Sequence, residues 1–297
     1  MQLSCDGLTI ALDNRKGDVT FLSHAHSDHA SGLKRQKKII CSAPTLDLAG
    51  LSADLVAVKG TRMLDAGHIF GSRQLVVEED GQKTIYTGDI SLKKNIFGHS
   101  AEIEECDRLI IEATYGSNPE YDFPEPVEVY EEIKKWVFSN EQSNILIGAY
   151  DMGKAQELVK ILNEYCGLAP VVTKKAERFC AIHEDHGLKL DRVAVGTDEA
   201  EEVMSKRFVA IVPMRHAKRY FANRMADAFE RKTLCAVATG WAMTYSFNTD
   251  ASFPMTDHAS FHDLLDYIEQ SNPKEIEFFA GDGSKLLRSF RTKANIY

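Results

Sequence analysis

The residues from His24 to His29, HAHSDH, include four side chains that can bind a metal ion. They follow an apolar, β-prone run, 19–22, and in an extended segment side chains two positions apart point the same way, so His24 and His26 can bind one cation together. Asp28 and His29 are expected where a helix begins, with Asp28 as its N-cap, so they face elsewhere and suit a second cation. Imidazoles and carboxylates are ligands expected of zinc at a hydrolytic site. The spacing therefore predicts a metal site rather than an incidental polar loop.

A hairpin signal further along the chain brings two more ligand-type residues together. Asp80 and Gly81 separate two β-prone runs, and an Asp-Gly pair favours a two-residue turn. Counting outward from that turn places Ser72 opposite Asp89, so Asp89 returns to within a few residues of His68. A carboxylate at this position is suited to bridging two metal ions.

Three other polar residues have weaker signals. Asp13 ends a short predicted strand, 8–12, and is either an acceptor that supports a ligand histidine or an exposed turn residue. His183 and His186 resemble a metal pair, but their spacing differs from HExxH. We expect both of these histidines to lie on the surface.

The composition limits the class of protein. The chain has 297 residues, enough for one large domain or two intimate ones, and its 35 basic and 44 acidic residues give a net charge of −9. A passive nucleic-acid coat protein would be basic, whereas a nuclease is not excluded because zinc ions would add positive charge at its site. Three local basic clusters are each either a solvated face or a phosphate contact: Lys34, Arg35, Lys37 and Lys38; Arg215, Lys218, Arg219 and Arg224; and Lys285, Arg288, Arg291 and Lys293.

The lack of a recognisable targeting signal and the pattern of cysteines favour a cytoplasmic protein with no membrane partner. No apolar run approaches the ~18 residues that would span a bilayer, and the N-terminal residues lack the features of a secretory signal. The six cysteines include no CxxC pair, so reduced thiols are expected.

The pattern of elements changes near residue 120. From there to about 235, strand-like and helix-like segments alternate, which indicates a parallel sheet covered by helices. We therefore predict three segments: a first domain over 1–120, a second α/β unit over 121–235, and a return to the first domain over 236–297.

Several motifs resemble those of a known family. HAHSDH at 24–29, AGHIFGS at 66–72 and TGDIS at 87–91 resemble the second, third and fourth motifs of the metallo-β-lactamase superfamily, with Asp13 as the first. Glu112 in IEATYG, MGKAQEL at 152–158 and His258 in PMTDHASF resemble its β-CASP branch, whose members are nucleases. The resemblance implies an α/β fold: an αββα metallo-β-lactamase sandwich with an inserted β-CASP α/β cap domain.

The same resemblance implies roles for individual residues. One zinc ion would be held by His24, His26, His68 and Asp89, and a second by Asp28, His29 and the bridging Asp89. His258, paired with Glu112, would protonate the leaving oxygen of a phosphodiester. Thr256 resembles a hydroxyl that contacts backbone phosphate in some relatives.

One departure from the family concerns the second zinc. Many members complete it with a histidine near the C-terminus, where this chain has Ala280 or, with a small insertion, Asp282. We therefore expect one site that binds zinc tightly. The second is either weak or absent, or it is completed by an oxygen of Asp282.

The substrate signals are divided. The lost histidine, TGW at 239–241 and the sequence around 21–33 look like the Artemis and DNA crosslink-repair nucleases, whereas the residues around Glu112 resemble polyadenylation endonucleases and ligase-associated exonucleases. We predict a zinc-dependent nuclease acting on single-stranded nucleic acid or its ends, with a repair-type 5′ exonuclease on DNA favoured. The alternatives are an RNA-processing nuclease such as those of mRNA 3′-end processing, a non-catalytic binding subunit, or a small-molecule hydrolase.

Overall fold

The computed structural model describes residues 1–294, with side chains to position 291. These residues divide into unit 1, Met1–Asp122 and the segment from Asp257 onward, and unit 2, Phe123–Thr256. The sequence placed the return to unit 1 at 236, but two strands beyond residue 232 belong to the sheet of unit 2, so that unit continues to Thr256. The last part of the predicted return segment, 295–297, lies outside the described residues.

Unit 1 contains two five-stranded sheets. With strands numbered along the whole chain, the first sheet consists of β1 (Gln2–Cys5), β2 (Leu8–Leu12), β3 (Val19–Phe21), β4 (Lys38–Ile40) and β5 (Asp54–Leu55), in that order. The second consists, in spatial order, of β16 (Glu275–Gly281), β9 (Arg108–Ala113), β8 (Gln82–Tyr86), β7 (Arg73–Glu79) and β6 (Thr61–Asp65). Each sheet mixes parallel and antiparallel pairs.

Apolar residues on both faces of these sheets produce the layers. Phe21 of the first sheet and Ile110 of the second share one buried cluster, so the two sheets pack face to face. The helices are α1 (Ser27–Ala30), α2 (Ala43–Ala49), α8 (Phe261–Ser271) and α9 (Ser284–Ala294). The opposite face of the second sheet packs on α8, for example Ile111 with Leu264, and that of the first sheet packs near α2, Ile39 with Leu46. The predicted αββα sandwich is confirmed.

The hairpin formed by β7 and β8 has the predicted register. Glu79 pairs with Gln82, and the pairing continues to Leu75 and Tyr86. Asp80 and Gly81 both have positive φ, 51° and 76°, as a type I′ turn requires. This register directs the chain after β8 back toward the residues that precede β7.

Unit 2 is a doubly wound α/β unit. Its six parallel strands are, in chain order, β10 (Asn144–Ala149), β11 (Val171–Val172), β12 (Val193–Ala194), β13 (Val209–Pro213), β14 (Thr233–Ala238) and β15 (Ala251–Phe253), and their spatial order is β12-β11-β13-β10-β14-β15. Its helices are α3 (Pro126–Ser139), α4 (Lys154–Cys166), α5 (Lys174–Asp185), α6 (Asp198–Met204) and α7 (Arg219–Ala228). Every residue of the central strand β10 is buried, as expected where helices cover both faces of a parallel sheet. The predicted parallel α/β unit is confirmed.

Through residue 294, no helix combines the length and apolar character needed to cross a bilayer.

Candidate metal centre

Four side chains of unit 1 form a compact group of possible metal ligands. They are His24, His26, His68 and Asp89, and one ligand atom from each lies within 4.8 Å of the others. Oδ2 of Asp89 lies 3.5 Å from Nε2 of His24 and 3.8 Å from Nε2 of His68. Nδ1 of His26 is 3.1 Å from Nε2 of His68. The structure thus brings together the residues that the sequence assigned to the first metal.

The hydrogen bonds of His24 leave one ring nitrogen available. Ser23 donates its hydroxyl proton to Oδ2 of Asp13 at 2.7 Å, so Nδ1 of His24 is the donor in its 3.0 Å contact with the Ser23 Oγ. Nε2 of His24 is then unprotonated, and it is buried without a hydrogen-bond partner in the described structure. A buried polar atom left unpaired costs about 1–3 kcal/mol, and a metal ion in the four-residue group would satisfy it. The donor set therefore fits a cation.

His68 is oriented by a backbone carbonyl. Its Nδ1 donates to the carbonyl oxygen of Asp257 at 2.7 Å, which leaves Nε2 unprotonated and directed at Asp89. Burial lowers the pKa of both His68 and His24 well below the ordinary histidine value. These two imidazoles are therefore neutral at pH 7, the form that binds metal.

The carboxyl group of Asp89 is buried and has little contact with water. Burial, followed by the charge of Glu112, raises its pKa from 3.8 to about 7. A bound cation would reverse this effect by stabilising the carboxylate.

The residues assigned to a second metal are arranged differently. Nε2 of His29 lies 3.5 Å from Oδ2 of Asp89 and 3.8 Å from Oδ2 of Asp28, but the Asp28 side chain is 77% exposed. Asp28 and His29 lie outside the compact four-residue group. Helix α1 begins at Ser27 with His26 as its N-cap, so the prediction that Asp28 caps the helix was wrong. Asp28 is instead in the first turn, where a carboxylate is favoured by the helix dipole.

Asp13 holds His29 in place. Its Oδ2 accepts hydrogen bonds of 2.7 Å from Nδ1 of His29 and from the hydroxyl of Tyr86, and its side chain is 7% exposed. Burial lowers the pKa of His29, but the hydrogen bond and charge of Asp13 outweigh that effect and raise it to about 9. Of the two interpretations of Asp13, the structure agrees with the supporting acceptor and not with the exposed turn residue.

The strand β16 brings no ligand to this second group. Ala280 pairs with Glu112 of β9, and the register shifts at a bulge between Phe278 and Ala280. The bulged Phe279 packs its ring 4.9 Å from Tyr86 and 6.3 Å from His29, measured between ring centroids. Asp282 is exposed, and its Oδ1 accepts a hydrogen bond from the Ser284 backbone. The structure does not bring Asp282 to the metal ligands.

Glu112 and His258 form a pair beside the four-residue group. Nδ1 of His258 lies 3.1 and 3.2 Å from the two carboxylate oxygens of Glu112, which also accepts from the Ile90 backbone. Burial lowers the pKa of His258, but Glu112, Asp89 and Asp257 together raise it to about 9. His258 is therefore a proton donor at neutral pH in the metal-free protein, and its ring centroid is 4.5 Å from that of His68.

Three other predicted positions lie in unit 2: Thr256, His183 and His186. Thr256 is its last residue and is half-buried. His183 is buried, and its Nδ1 donates to the Phe179 carbonyl at 2.7 Å. The prediction that His183 lies on the surface was wrong, because it continues the buried face of α5 formed by Ala176, Phe179 and Cys180. Neither His183 nor His186 belongs to a possible metal group within residues 1–294.

The sequence reasoning missed four residues that support this site: Ser23, Tyr86, Asp257 and Phe279. Asp257 acts on His68 through its backbone carbonyl, which every residue type has, so no residue pattern could have shown it. Ser23 lies inside the motif FLSHAHSDH and is a hydroxyl flanking a ligand, a signal that was present.

Sequence comparisons show which known proteins this chain resembles. A search against protein-family models finds no match. A probable DNA ligase of Opitutus terrae is 28% identical, with alignment over 92% of this chain and 28% of that protein. The DNA cross-link repair protein pso2/snm1 of Schizosaccharomyces pombe is 24% identical over 88% of this chain and 49% of its own length. An RNase J-like protein of Methanocaldococcus jannaschii is 29% identical over 52% of this chain and 45% of its own length.

The chain thus spans less than half the length of each of these relatives. Among solved structures, a protein of unknown function from Enterococcus faecalis V583 superposes with a TM-score of 0.58 at 12% identity, covering 89% of this chain and 79% of that one. At that identity the likeness concerns the fold alone.

Proposed function

We propose that the chain belongs to the β-CASP branch of the metallo-β-lactamase superfamily, whose motifs it resembles, and that it is a metal-dependent nuclease, as the names of several relatives suggest. The observation that carries the proposal is the buried, unpartnered Nε2 of His24 inside a four-ligand group, with the Glu112–His258 pair beside it. A metal site next to a positioned proton donor suits hydrolysis of a phosphodiester bond.

We propose zinc as the metal, held by three imidazoles and one carboxylate: His24, His26, His68 and Asp89. Three nitrogen ligands and one oxygen ligand are a usual zinc donor set. When bound, zinc supplies Lewis-acid polarisation of the phosphoryl group and makes water nucleophilic near neutral pH. A second ion would have Asp28, His29 and Asp89, and it would bind weakly because Ala280 has no ligand atom.

The role proposed for the protein's own residues is proton delivery. Glu112 binds Nδ1 of His258 and keeps the ring charged, so Nε2 is the atom that can give a proton to the leaving oxygen. The His258 side chain is 21% exposed, so a substrate oxygen can reach it. Nδ1 of His29 is engaged by Asp13, which fixes the other nitrogen toward Asp89.

For the substrate we propose single-stranded DNA or a DNA end, cleaved as a repair-type 5′ exonuclease would cleave it. Two relatives whose names refer to DNA align over 92% and 88% of this chain, whereas the RNase J-like protein aligns over 52%. RNA processing is the second candidate, supported by the name of that archaeal relative. The six cysteines are unpaired, which supports a reducing cytoplasmic location.

The test is digestion of end-labelled oligonucleotides by purified protein with added zinc. Matched single-stranded DNA and RNA, each with a 5′-phosphate or a 5′-hydroxyl, would be compared. We expect DNA shortened from a 5′-phosphorylated end, no cleavage by Asp89→Ala, and wild-type rates for Asp282→Asn, which keeps the hydrogen bond to Ser284. Preferential RNA cleavage would establish the second candidate. No cleavage of either polymer by zinc-loaded protein would overturn the nuclease proposal in favour of a binding subunit.

A further inference from the structure

Unit 2 has a concavity of about 430 Å³ at one edge of its sheet. Its lining includes Tyr150, Met214 and Thr239, which directly follow β10, β13 and β14. Trp241 and Tyr245, from the segment after β14, also line it. The concavity therefore lies at the carboxyl ends of the three central strands. None of its lining residues has been used in the proposed chemistry.

The topology of the sheet explains why a concavity forms there. Strands β10 and β14 are neighbours, with Gly148 paired to Val237. The chain leaves β10 toward β11 on one side of the sheet order and leaves β14 toward β15 on the other side. In open parallel sheets, connections that diverge in this way leave a crevice at the carboxyl ends of the strands, and ligands bind in such crevices. The concavity thus lies at a position where this architecture binds ligands.

The walls are aromatic and unusually exposed. The side chains of Tyr150 and Tyr245 are 49% and 62% exposed, and the Trp241 ring centroid is 5.8 Å from that of Tyr245. Large aromatic side chains are normally covered, and a cluster left open indicates a partner surface. An open aromatic face stacks well on any nucleobase, since every base has a π-face.

Positive charges accompany the aromatic walls. Arg215 directly follows Met214, and Lys218 is the N-cap of α7; both are exposed, and neither has a carboxylate partner in the described part of the chain. The ammonium group of Lys154 lies 6.0 Å from the centre of the Tyr150 ring. In a chain with a net charge of −9, the exposed cations Arg215 and Lys218, close in sequence to a lining residue, match a ligand with flat bases and phosphates.

We propose that this concavity binds an unpaired nucleobase of a single-stranded nucleic acid, whose neighbouring phosphates contact Arg215 and Lys218. The inference rests on the proposed nuclease function and adds to it a binding site in unit 2. Stacking accounts for recognition of a single strand without a requirement for base sequence. A duplex, whose bases are already stacked on one another, would not enter.

The test measures binding separately from cleavage. Proteins carrying Asp89→Ala would be titrated with a fluorescein-labelled ten-nucleotide thymidine strand, and affinity would be read from anisotropy. Adding Tyr245→Ala should weaken binding about 5- to 160-fold, which corresponds to the free energy of one aromatic–base stack. The matched control is Phe138→Ala, which removes an aromatic side chain that is 50% exposed on α3, outside the concavity; it should leave affinity unchanged.

Two further measurements identify the ligand. The chain has two tryptophans, so Trp136→Phe makes Trp241 the sole one, and the strand should quench its fluorescence. An abasic strand of equal charge should bind Tyr245→Ala and its parent equally. Equal affinity of both proteins for the thymidine strand, or competition by thymidine monophosphate at the same concentration as the strand, would overturn the proposal. Failure of cleavage in the wild-type protein, with this binding intact, would instead overturn only the nuclease function.

Discussion

At the level of single residues, tautomers decide what this site can bind. Ser23 and the Asp257 carbonyl fix the protons of His24 and His68 on Nδ1, so both Nε2 atoms present lone pairs to the same space as Asp89. In the metal-free protein, both Nε2 atoms are therefore already oriented to bind a cation. Burial lowers the pKa of both rings, so protons do not compete with a metal ion for these nitrogens.

The proton-donor role of His258 gives the first prediction. His258→Gln should lower the cleavage rate by about 10²- to 10⁴-fold, the usual contribution of a general acid. The amount of bound metal should stay unchanged, because His258 is not one of the four proposed ligands. Single-turnover cleavage and metal analysis of the same preparation would measure both effects.

His262→Gln is the matched control for this prediction. His262 lies four positions away on the exposed side of α8, so its substitution should leave cleavage at the wild-type rate. Loss of metal in His258→Gln would assign His258 to the ligands instead, and an unchanged cleavage rate would remove it from the mechanism.

At the level of elements, strand β16 determines the strength of the second metal site. Ala280 pairs with Glu112 in a parallel register, and paired residues direct their side chains to the same face of a sheet. Ala280→His should therefore increase the number of tightly bound zinc ions from one to two per chain, measured by native mass spectrometry. Ala280→Gln, of similar size but a poor zinc ligand, should keep one. A single ion in both variants would show that the position does not face the metal.

Helix α5 carries a pH-dependent contribution to stability. Burial lowers the pKa of His183 from 6.5 to about 4. Between those values the unfolded chain binds a proton that the folded chain does not, so the free energy of unfolding falls as the pH is lowered from about 6.5 to 4, by up to about 3 kcal/mol. Denaturant unfolding of His183→Gln should show a weaker decline over this range. Curves that run parallel for the variant and the wild type would contradict the prediction.

The elements show which sequence signals were reliable. The turn residues Asp80 and Gly81 fixed the hairpin register, because two consecutive positive φ angles suit few residue pairs. The start of α1 was misplaced because Ser27 and Asp28 are both acceptable near a helix N-terminus, and local propensity does not separate the cap from the first turn. His183 was misplaced because a polar residue on an apolar face satisfies its donor within its own helix, on the Phe179 carbonyl.

At the level of the whole molecule, the site depends on segments that are distant in the chain. Its ligands and their supports come from 13–29, 68–89, 112, 257–258 and 279. Spacing within the first segment and the hairpin could be derived from sequence, but the approach of Asp257 to His68 spans 189 positions and is a result of tertiary packing. The end of unit 2 was placed too early because strand β15 is only three residues long and has no strong sequence signal of its own. Its place in the sheet, like the approach of Asp257 to His68, is a result of tertiary packing.

The measurement that tests the central claim most directly is a zinc titration of metal-free protein. Ions per chain, by native mass spectrometry, and cleavage of single-stranded DNA would be recorded on the same samples for the wild type, His24→Asn and the control His186→Asn. We predict that cleavage rises with zinc and saturates near one ion per chain in the wild type and the control, and that His24→Asn loses both tight binding and cleavage. Cleavage by ion-free wild-type protein, or unchanged zinc binding in His24→Asn, would contradict the account.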